Sequence, residues 1–591
     1  MTRFTTGLRP FSRLLVAVAL AAVAPAWAQG LPVVGGEAVV GVSKSSSPSY
    51  LLTTEEEMPA HRLRLTAPAP REFSALEAAD SAAKRVTIGF GREVAEHAEE
   101  GRGEALTWSR VGQWRIAKLR VQSPGAAALR VGLRIGATRE PWELRVSGSD
   151  DESKAIGPVR QAGPLGKSDL YWTPVTEGEA QVIELASPAT QPEPSVEVMT
   201  ISHLVTGPTS RFRKTVTEIG NAGSCNFDMK CVANPSQALL NAASAVVQML
   251  FTRPTGGSGL CTGTLLNDTS AGTQVPYLFS ANHCFDRSTA PYNTPTQAQQ
   301  VANSLNTFFF FDAVACGSLQ APPFVQRFGG ATYLHHSLSE DVLFVRLNDW
   351  APAGAFLSGW DANPVATNTV VTVLHHPWGD LKKFTTGTTG GLFSLPSPND
   401  APTGYVRVTY TQGTAEPGSS GGGLLTFANS QYLLRGGLWG GEASCTAQTA
   451  PDYYSRFDAA YPILRQWLEA TNLPDYDTTD LWWNPLENGW GINLTQHPSG
   501  QIFAVWYTYA ADAGPLWLVM SGGQWTTSRT FTGKLYRTSG PAYNQLPFNP
   551  NAVNRTEVGT LTFNFTDVNN GSFTWVVDGV QGTKVITRQA F

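Results

Sequence analysis

A glycine-rich segment in the 591-residue chain could carry a nucleophile. It spans Glu416–Leu425, and Ser420 within it fits the pattern G-x-S-G-G. A serine becomes nucleophilic when a histidine takes its proton, a carboxylate orients that histidine, and backbone N–H groups stabilise the oxyanion that forms. The glycines would let the backbone turn tightly and aim the N–H groups of Gly418 and Ser420 at one point. Taken alone, the segment fits a flexible Gly/Ser linker nearly as well.

A histidine earlier in the chain can supply the base. His283 lies at the end of the apolar segment Tyr277–Cys284 in the pattern Ala-x-His-Cys, and Cys261–Leu266 precedes it as Cys-x-Gly-x-Leu. This pairing resembles the chymotrypsin-like serine peptidases, in which a disulfide fixes the histidine loop against the preceding strand. The resemblance implies that His283 is the general base.

Two aspartates between His283 and Ser420 compete for the orienting role. Asp341 begins the segment Asp341–Leu347, which resembles the buried strand that follows the aspartate of the same peptidases. Asp312 follows four phenylalanines, but no such strand follows it. The chain order His, Asp, Ser is that of chymotrypsin. We therefore expect Asp341 to orient His283.

A closer resemblance covers most of residues 220–470. Four segments together are similar to the bacterial lysyl endopeptidases: Gly223–Cys231, Ser358–Asp361, His375–Pro377 and Glu416–Gly421. The resemblance implies an all-β fold with the double β-barrel of chymotrypsin. It also implies three disulfides: Cys225 with Cys445, Cys231 with Cys316, and Cys261 with Cys284.

The same resemblance implies a pocket for a basic side chain. The segment Asp452–Arg456 has the family pattern D-x-Y-x-R, which makes Asp452 the floor of the specificity pocket, although Asp452 could instead cap a loop. Glu416 corresponds to a second acidic residue near the pocket, and Trp439 and Gly440 to an edge whose backbone pairs with substrate. The family has histidine at the position of Trp439, so the preference for Lys over Arg stays open.

Composition favours an exported protein. Arg3, Arg9 and Arg13 precede an apolar run and the small-x-small motif Ala26–Ala28, which predicts a signal peptide over residues 1–28 and a mature chain from Gln29. The run is shorter than the roughly 20 residues of a membrane span, so an anchor is the weaker interpretation. A net charge of -5 gives no basic surface for nucleic acid. We expect secretion through the periplasm, without nucleic-acid or membrane binding.

The six cysteines divide the chain, because all lie between residues 225 and 445. We predict an N-terminal β-sandwich over 29–219, with alternating segments such as Ala128–Ile135 that have one buried and one wet face. The peptidase domain spans 220–470, a linker 471–479, and a Trp-rich β-sandwich or barrel 480–591.

The position before the nucleophile bears on activation. In trypsin an aspartate there pairs with the new N-terminus, whereas this chain has Ser419, so that switch cannot form. We expect the N-terminal domain to be a propeptide that keeps the enzyme latent or assists folding. The basic linker Pro208–Lys214 would then precede cleavage near Gly220, although a linker that is never cut also fits.

Metal and cofactor chemistry is not indicated. The pairs His335–His336 and His375–His376 cannot each hold one ion, because adjacent strand residues point to opposite faces, and we interpret them as structural or surface residues.

The leading hypothesis is a serine endopeptidase that acts on protein or peptide substrates after Lys, or after Lys and Arg. The alternative is an inactive peptidase fold whose C-terminal domain binds a surface or polysaccharide. That hypothesis would use exposed aromatic residues, although such residues more commonly pack in a core. The candidates are Trp482, Trp483, Trp490 and Trp506.

Overall fold

A computed structural model provides the structure of the chain. It describes residues 31–40, 51–54, 56–77, 86–101, 105–136, 142–161, 170–207, 222–270, 273–285, 295–318, 320, 323–394, 404–469, 474, 477–496 and 500–589. The predicted signal peptide, the basic linker and most of the predicted linker 471–479 lie outside these residues.

The N-terminal part consists of strands with two helices. Its elements are β1 (Val33–Val34), β2 (Glu37–Ala38), β3 (His61–Leu65), α1 (Pro70–Glu77), β4 (Val86–Glu93), α2 (Val94–His97), β5 (Ala98–Glu100), β6 (Ser109–Val111), β7 (Trp114–Gln122), β8 (Ala128–Ile135), β9 (Trp142–Gly148), β10 (Asp151–Gln161), β11 (Tyr171–Trp172), β12 (Thr176–Glu177), β13 (Ala180–Pro188) and β14 (Val196–Leu204).

Strands β3 to β14 form the predicted β-sandwich, whereas β1 and β2 pair with strands of the central part. One sheet has the order β10-β9-β13-β7-β3-β5, with β6 beside β7. The other contains β8, β14 and β4, with β11 and β12 beside β8. Aliphatic side chains from both sheets, among them Leu119, Val131 and Ile183, fill the space between them. The sandwich therefore has its own hydrophobic core.

The outer face of β8 is exposed at Arg134, as predicted, but not at Arg130. Arg130 on that face is fully buried, and its guanidinium donates to Thr173 O at 2.8 Å and to Thr252 Oγ1 at 2.9 Å. Thr252 belongs to the central part of the chain, which therefore covers this face around Arg130. Burial lowers the pKa of Arg130 to about 9.

The central part holds sixteen further strands and four helices among the described residues. They are β15 (Phe227–Asp228), α3 (Gln237–Ala245), β16 (Val246–Thr252), β17 (Ser258–Leu266), β18 (Tyr277–Ser280), α4 (Asn282–Phe285), α5 (Pro295–Asn303), β19 (Asn306–Phe309), β20 (Val325–Arg327), β21 (Ala331–Ser337), β22 (Val342–Leu347), β23 (Phe356–Leu357), β24 (Gly359–Asp361), β25 (Val370–His375), β26 (Lys383–Phe393), β27 (Tyr405–Gln412), β28 (Gly423–Ala428), β29 (Gln431–Gly441), β30 (Asp452–Tyr454) and α6 (Phe457–Leu468).

The central strands form two barrel-like sheets, as predicted for an all-β double barrel. The first has the order β20-β19-β16-β17-β18-β22-β21. The second runs β29-β28-β25-β26-β27-β30 and closes because β30 also pairs with β29. Trp360 and α6 residues such as Leu464 pack in the core between them. The two barrels thus meet along one buried seam.

The sandwich and the first barrel share one sheet. Strand β4 pairs antiparallel with β17, with Thr87 opposite Gly259 and Val86 opposite Leu260. Val86 from the sandwich and Leu260 and Phe308 from the barrel belong to one buried apolar cluster. The N-terminal part is therefore joined to the barrel by both backbone pairing and a common core.

Three disulfides close the central part, and they pair as the resemblance implies. They join Cys225 with Cys445, Cys231 with Cys316, and Cys261 with Cys284.

The C-terminal part is a closed barrel. Its strands are β31 (Asp480–Trp483), β32 (Gly491–Gln496), β33 (Ile502–Tyr509), β34 (Pro515–Met520), β35 (Gln524–Thr527), β36 (Thr530–Ser539), β37 (Asn554–Phe565), β38 (Asn570–Val577) and β39 (Val580–Arg588). Consecutive strands pair with each other except β34 and β35, and β31 pairs with β39. The pairing of β34 with β36 closes the barrel.

The hypothesis of exposed tryptophans in this barrel is wrong for two of the four. Trp482 and Trp506 point inward and are buried in the barrel core, because alternate residues of a barrel strand face the interior. Trp483 and Trp490 are half-buried. Among the described residues, no helix is long and apolar enough to cross a membrane.

Candidate active site

His283 lies in the short helix α4, directly after strand β18 of the first barrel. The disulfide from Cys284 to Cys261 ties this helix to β17, with the two Cα atoms 6.2 Å apart. The imidazole is only slightly exposed, at 12% of the side chain. The position of the ring is thus fixed by strand, helix and disulfide together.

Asp341 immediately precedes β22, the strand that pairs with β18 and so lies beside the histidine. Its Oδ1 accepts from the His283 backbone N–H at 2.9 Å, and its Oδ2 lies 2.8 Å from Nδ1. The backbone of Asp341 has φ 53°, the left-handed region that aspartate tolerates better than most residues. The backbone N–H and the imidazole of His283 therefore both hold the buried carboxylate of Asp341.

Ser420 completes the chain of contacts, since its Oγ lies 2.7 Å from His283 Nε2. The carboxylate accepts the Nδ1 proton, which leaves Nε2 as the acceptor for the serine hydroxyl. The three residues proposed from the sequence are thus brought together in the arrangement that activates a serine.

The turn that carries Ser420 is clamped by β17. Thr262 N–H donates to Ser420 O at 2.8 Å, and the Thr262 hydroxyl donates to Gly418 O at 3.0 Å. Gly418 has φ 96°, and a Cβ there would lie 2.8 Å from both His376 O and Trp378 N. The glycine at position 418 is therefore required by both conformation and space.

Asp452 is fully buried at the start of β30, opposite Gly441 of β29. Its Oδ2 accepts from the Tyr410 hydroxyl at 2.9 Å, and its Oδ1 from Ala443 N–H at 3.2 Å. The Tyr410 hydroxyl also lies 2.7 Å from that of Tyr454. Burial, and then the nearby carboxylate, raise the pKa of both tyrosines well above the usual value, so both stay neutral.

The remaining residues predicted for the pocket lie on two segments. Glu416 Oε2 accepts from Gly223 N–H at 2.8 Å and from Asn226 Nδ2 at 2.6 Å, so this carboxylate also ties the loop to residues 223–226. Trp439 is half-buried and is the extra residue of a β-bulge, because Leu438 and Gly440 pair with consecutive residues of β30. The bulge places Trp439 outside the β29–β30 pairing.

The competing aspartate has a different partner. Asp312 Oδ1 lies 3.1 Å from Nζ of the buried Lys382. Asp341, and not Asp312, is the acid in contact with His283.

Sequence reasoning did not identify the part played by His375, Tyr410 or Thr262. His375 and His376 are both fully buried, which fits the structural alternative and not the surface one. His375 contacts the hydroxyl of Ser419, directly beside the nucleophile. The chain contains no local motif for these contacts; only the spatial neighbours reveal them.

Comparison with known proteins identifies the family of the chain. The family described as "Lysyl endopeptidase, C-terminal domain" matches residues 219–455, and "Lysyl endopeptidase N-terminal domain" matches 64–205. A lysyl endopeptidase of Pseudomonas aeruginosa is 33% identical over 361 residues, which is 58% of this chain and 73% of that protein. The chain belongs to the lysyl endopeptidase family. As a member, it is a peptidase.

Among solved structures, similarity extends to the Rv3671c protease of M. tuberculosis. Its active form is 18% identical and aligns with 44% of this chain and 93% of its own, at a TM-score of 0.27. Its inactive form aligns with 40% of this chain and 98% of its own, at a TM-score of 0.25.

The site predicts which acid activates the serine of this lysyl endopeptidase homologue. Asp341→Asn should slow labelling of Ser420 by a fluorophosphonate by roughly three to four orders of magnitude, because the amide no longer holds the correct tautomer of His283. Labelling is measured by mass spectrometry of the intact protein.

Asp312→Asn is the matched control. It removes the carboxylate beside the buried Lys382 and so lowers stability, but it leaves His283 untouched, and the folded protein should label within about three-fold of the parent. Equal slowing in both variants would contradict the assignment of Asp341.

Proposed function

We propose that this chain is a secreted serine endopeptidase that cleaves peptide bonds after lysine. The observation that carries the proposal is the contact chain Asp341, His283, Ser420 beside a buried carboxylate, Asp452. The family membership supports the peptidase activity, and the geometry supports the assignment of the serine mechanism.

The chemistry follows from the contacts of the three residues. His283 Nε2 takes the hydroxyl proton as Ser420 Oγ bonds to the carbonyl carbon of the scissile peptide. The N–H groups of Gly418 and Ser420 would stabilise the resulting oxyanion. The C–N bond then breaks as the imidazolium returns its proton to the leaving amine, and water attacks the acyl-enzyme by the same proton route.

The location of Asp452 supports a basic side chain in the pocket. Gly421, directly after Ser420, donates its N–H to Leu438 O of β29. Asp452 lies opposite Gly441, which is three residues after Leu438 on β29. That separation is roughly 10 Å of strand, a span that a long side chain can bridge from the scissile bond. A cation at the end of such a side chain would meet a buried negative charge.

The hydrogen bonds of Asp452 favour lysine over arginine. Each of its oxygens already accepts one hydrogen bond, from Tyr410 and from Ala443. A guanidinium binds best with two parallel hydrogen bonds to a carboxylate, whereas an ammonium acts as a compact point charge. We therefore propose that the pocket selects lysine, with Trp439 and Gly440 pairing with the substrate backbone.

Asp452→Asn tests the pocket. Loss of one partner of a buried charge pair costs about 3–5 kcal/mol, so kcat/KM for a lysyl peptide substrate should fall by roughly 10² to 10⁴-fold. A positional-scanning peptide library on the purified enzyme measures the loss and the residue preferred before the cut.

Glu442→Gln is the matched control, an acidic residue directly after the strand edge, and it should leave the preference for lysine unchanged. If Asp452→Asn kept that preference, the lysine pocket would be wrong. If Ser420→Ala kept activity, the serine mechanism would be wrong.

The N-terminal sandwich supports a propeptide role. Besides the sheet that the sandwich shares with the first barrel, the segment before the sandwich pairs with the peptidase through β1 with β24 and β2 with β23. The residues before the proposed cleavage site therefore contact the peptidase in several places. The amide side chains of Gln431 and Asn267 also hold the backbone at Gly35 and Gly36.

We propose cleavage near Gly220. The N-terminal sequence of the purified enzyme used for the library should therefore begin near Gly220 and not at Gln29.

The C-terminal barrel has an aromatic outer face that supports a second role. Tyr507 of β33 pairs directly with Trp517 of β34, and both side chains are about half exposed, at 51% and 53%. Tyr509 lies two residues along on the same side of β33 and is also exposed. Flat aromatic rings with polar tips suit sugar rings, and we propose that this face binds polysaccharide.

Retention on insoluble polysaccharide tests this second role. The full-length Ser420→Ala chain, which cannot digest itself, should be retained on chitin, cellulose or peptidoglycan. Tyr507→Ala combined with Trp517→Ala should reduce retention by more than about five-fold, because each aromatic contact contributes about 0.5–1.5 kcal/mol beyond the area that it buries. Tyr543→Ala, which removes an exposed tyrosine outside the paired strands, should have no effect. A parent chain that passes through all three materials would contradict the proposal.

A further inference from the structure

Ser419, directly before the nucleophile, is fully buried and has a specific partner. Its Oγ lies 2.7 Å from Nδ1 of His375. The same oxygen accepts from the backbone N–H of Glu416 at 3.2 Å. The hydroxyl thus connects the nucleophile turn to strand β25, which ends at His375.

His375 is buried as well and is bonded through both ring nitrogens. Its Nε2 lies 3.0 Å from Thr385 Oγ1, and the Thr385 hydroxyl donates to Thr414 O at 3.0 Å. Because that proton is already used, Thr385 Oγ1 accepts from Nε2–H, and Nδ1 accepts from the Ser419 hydroxyl. Every group has one consistent role, with His375 as the neutral Nε2–H tautomer.

The network holds one segment at both ends. The segment begins at Thr414 and ends at Ser419. The network anchors Thr414 to β26 through Thr385, and Ser419 to β25 through His375. Ser419 O also accepts from Gly422 N–H at 2.8 Å, which continues the bonding past Ser420. Fixing Ser419 fixes the peptide plane that ends in the Ser420 N–H, one of the two proposed oxyanion donors.

Such donors contribute to catalysis because they are held in place before the charge develops. In trypsin the corresponding residue is charged and waits for a new N-terminus. Here the groups that hold the loop are hydroxyls, a neutral imidazole and backbone atoms, and all of them lie between residues 375 and 422.

We propose that His375 is a positioning residue that holds Ser419, and through it the oxyanion donors, so that the nucleophile loop is already formed in the uncut chain. The inference rests on the proposed serine mechanism, because it assigns a purpose to the amides of Gly418 and Ser420. His375 touches no reacting atom and acts only through Ser419.

Ser419→Ala and His375→Gln test the positioning. Each should lower the rate of Ser420 labelling by a fluorophosphonate by about 10- to 100-fold, up to the 10²–10³-fold that loss of a whole oxyanion donor costs. With a lysyl peptide substrate, kcat should fall while KM stays within about three-fold, because Asp452 lies on a different segment and binding of the ground state is retained. A merely structural lesion would raise KM as well.

His203→Gln is the matched control. His203 is likewise fully buried with its Nδ1 2.8 Å from a serine hydroxyl, that of Ser123, but it lies in the sandwich. The His203→Gln variant should label at the parent rate.

Thr385→Val removes the hydroxyl that accepts from His375 Nε2–H while nearly keeping the side-chain shape. This variant should also slow labelling of Ser420.

Hydrogen exchange gives a readout that needs no activity. In the full-length, uncut Ser420→Ala chain, the peptide covering 417–422 should exchange slowly, and adding Ser419→Ala should speed its exchange at least about ten-fold, since the amides then open locally. Fast exchange before the second substitution, or no change after it, would overturn the inference. A parent that labels but does not cleave lysyl peptides would overturn only the proposed function.

Discussion

The hydrogen bonds from Thr262 to the turn around Ser420 are the constraint on which the site depends. One residue of β17 fixes the carbonyl groups of Gly418 and Ser420, and its neighbour Cys261 carries the disulfide to the histidine helix. Ser420 comes from the second barrel and His283 from the first. A displacement of about 1 Å between such groups can cost two orders of magnitude in rate, so this junction must be rigid.

The same strand also joins the domains. The first residues of β17 pair with β4 of the sandwich, and its last residues pair with β18, which leads to His283. Removal of the sandwich would therefore expose a sheet edge and an apolar cluster close to the site. By contrast, the C-terminal barrel closes on itself through β31 and β39 and has its own core.

The sequence was most informative where chemistry depends on local residues. The glycines around Ser420 and the pair His283–Cys284 form recognisable motifs because the turn and the disulfide need those residue types. The burial of Arg130 was not predicted, and His375 was only narrowed to a structural or surface residue, because the surroundings of both depend on distant partners, Thr252 and Ser419. Alternation along a strand shows that two faces differ, but not what covers each face. For that reason Trp482 and Trp506 could not be assigned to the inside of the barrel beforehand.

Mass spectrometry of a digest tests the central claim most directly. A denatured substrate protein is incubated with the purified enzyme, and the new C-termini are sequenced beside those from the Ser420→Ala variant. The account predicts new C-termini that are lysine with the parent enzyme and no cleavage with the variant. Cleavage after residues other than lysine, or cleavage that survives Ser420→Ala, would contradict it.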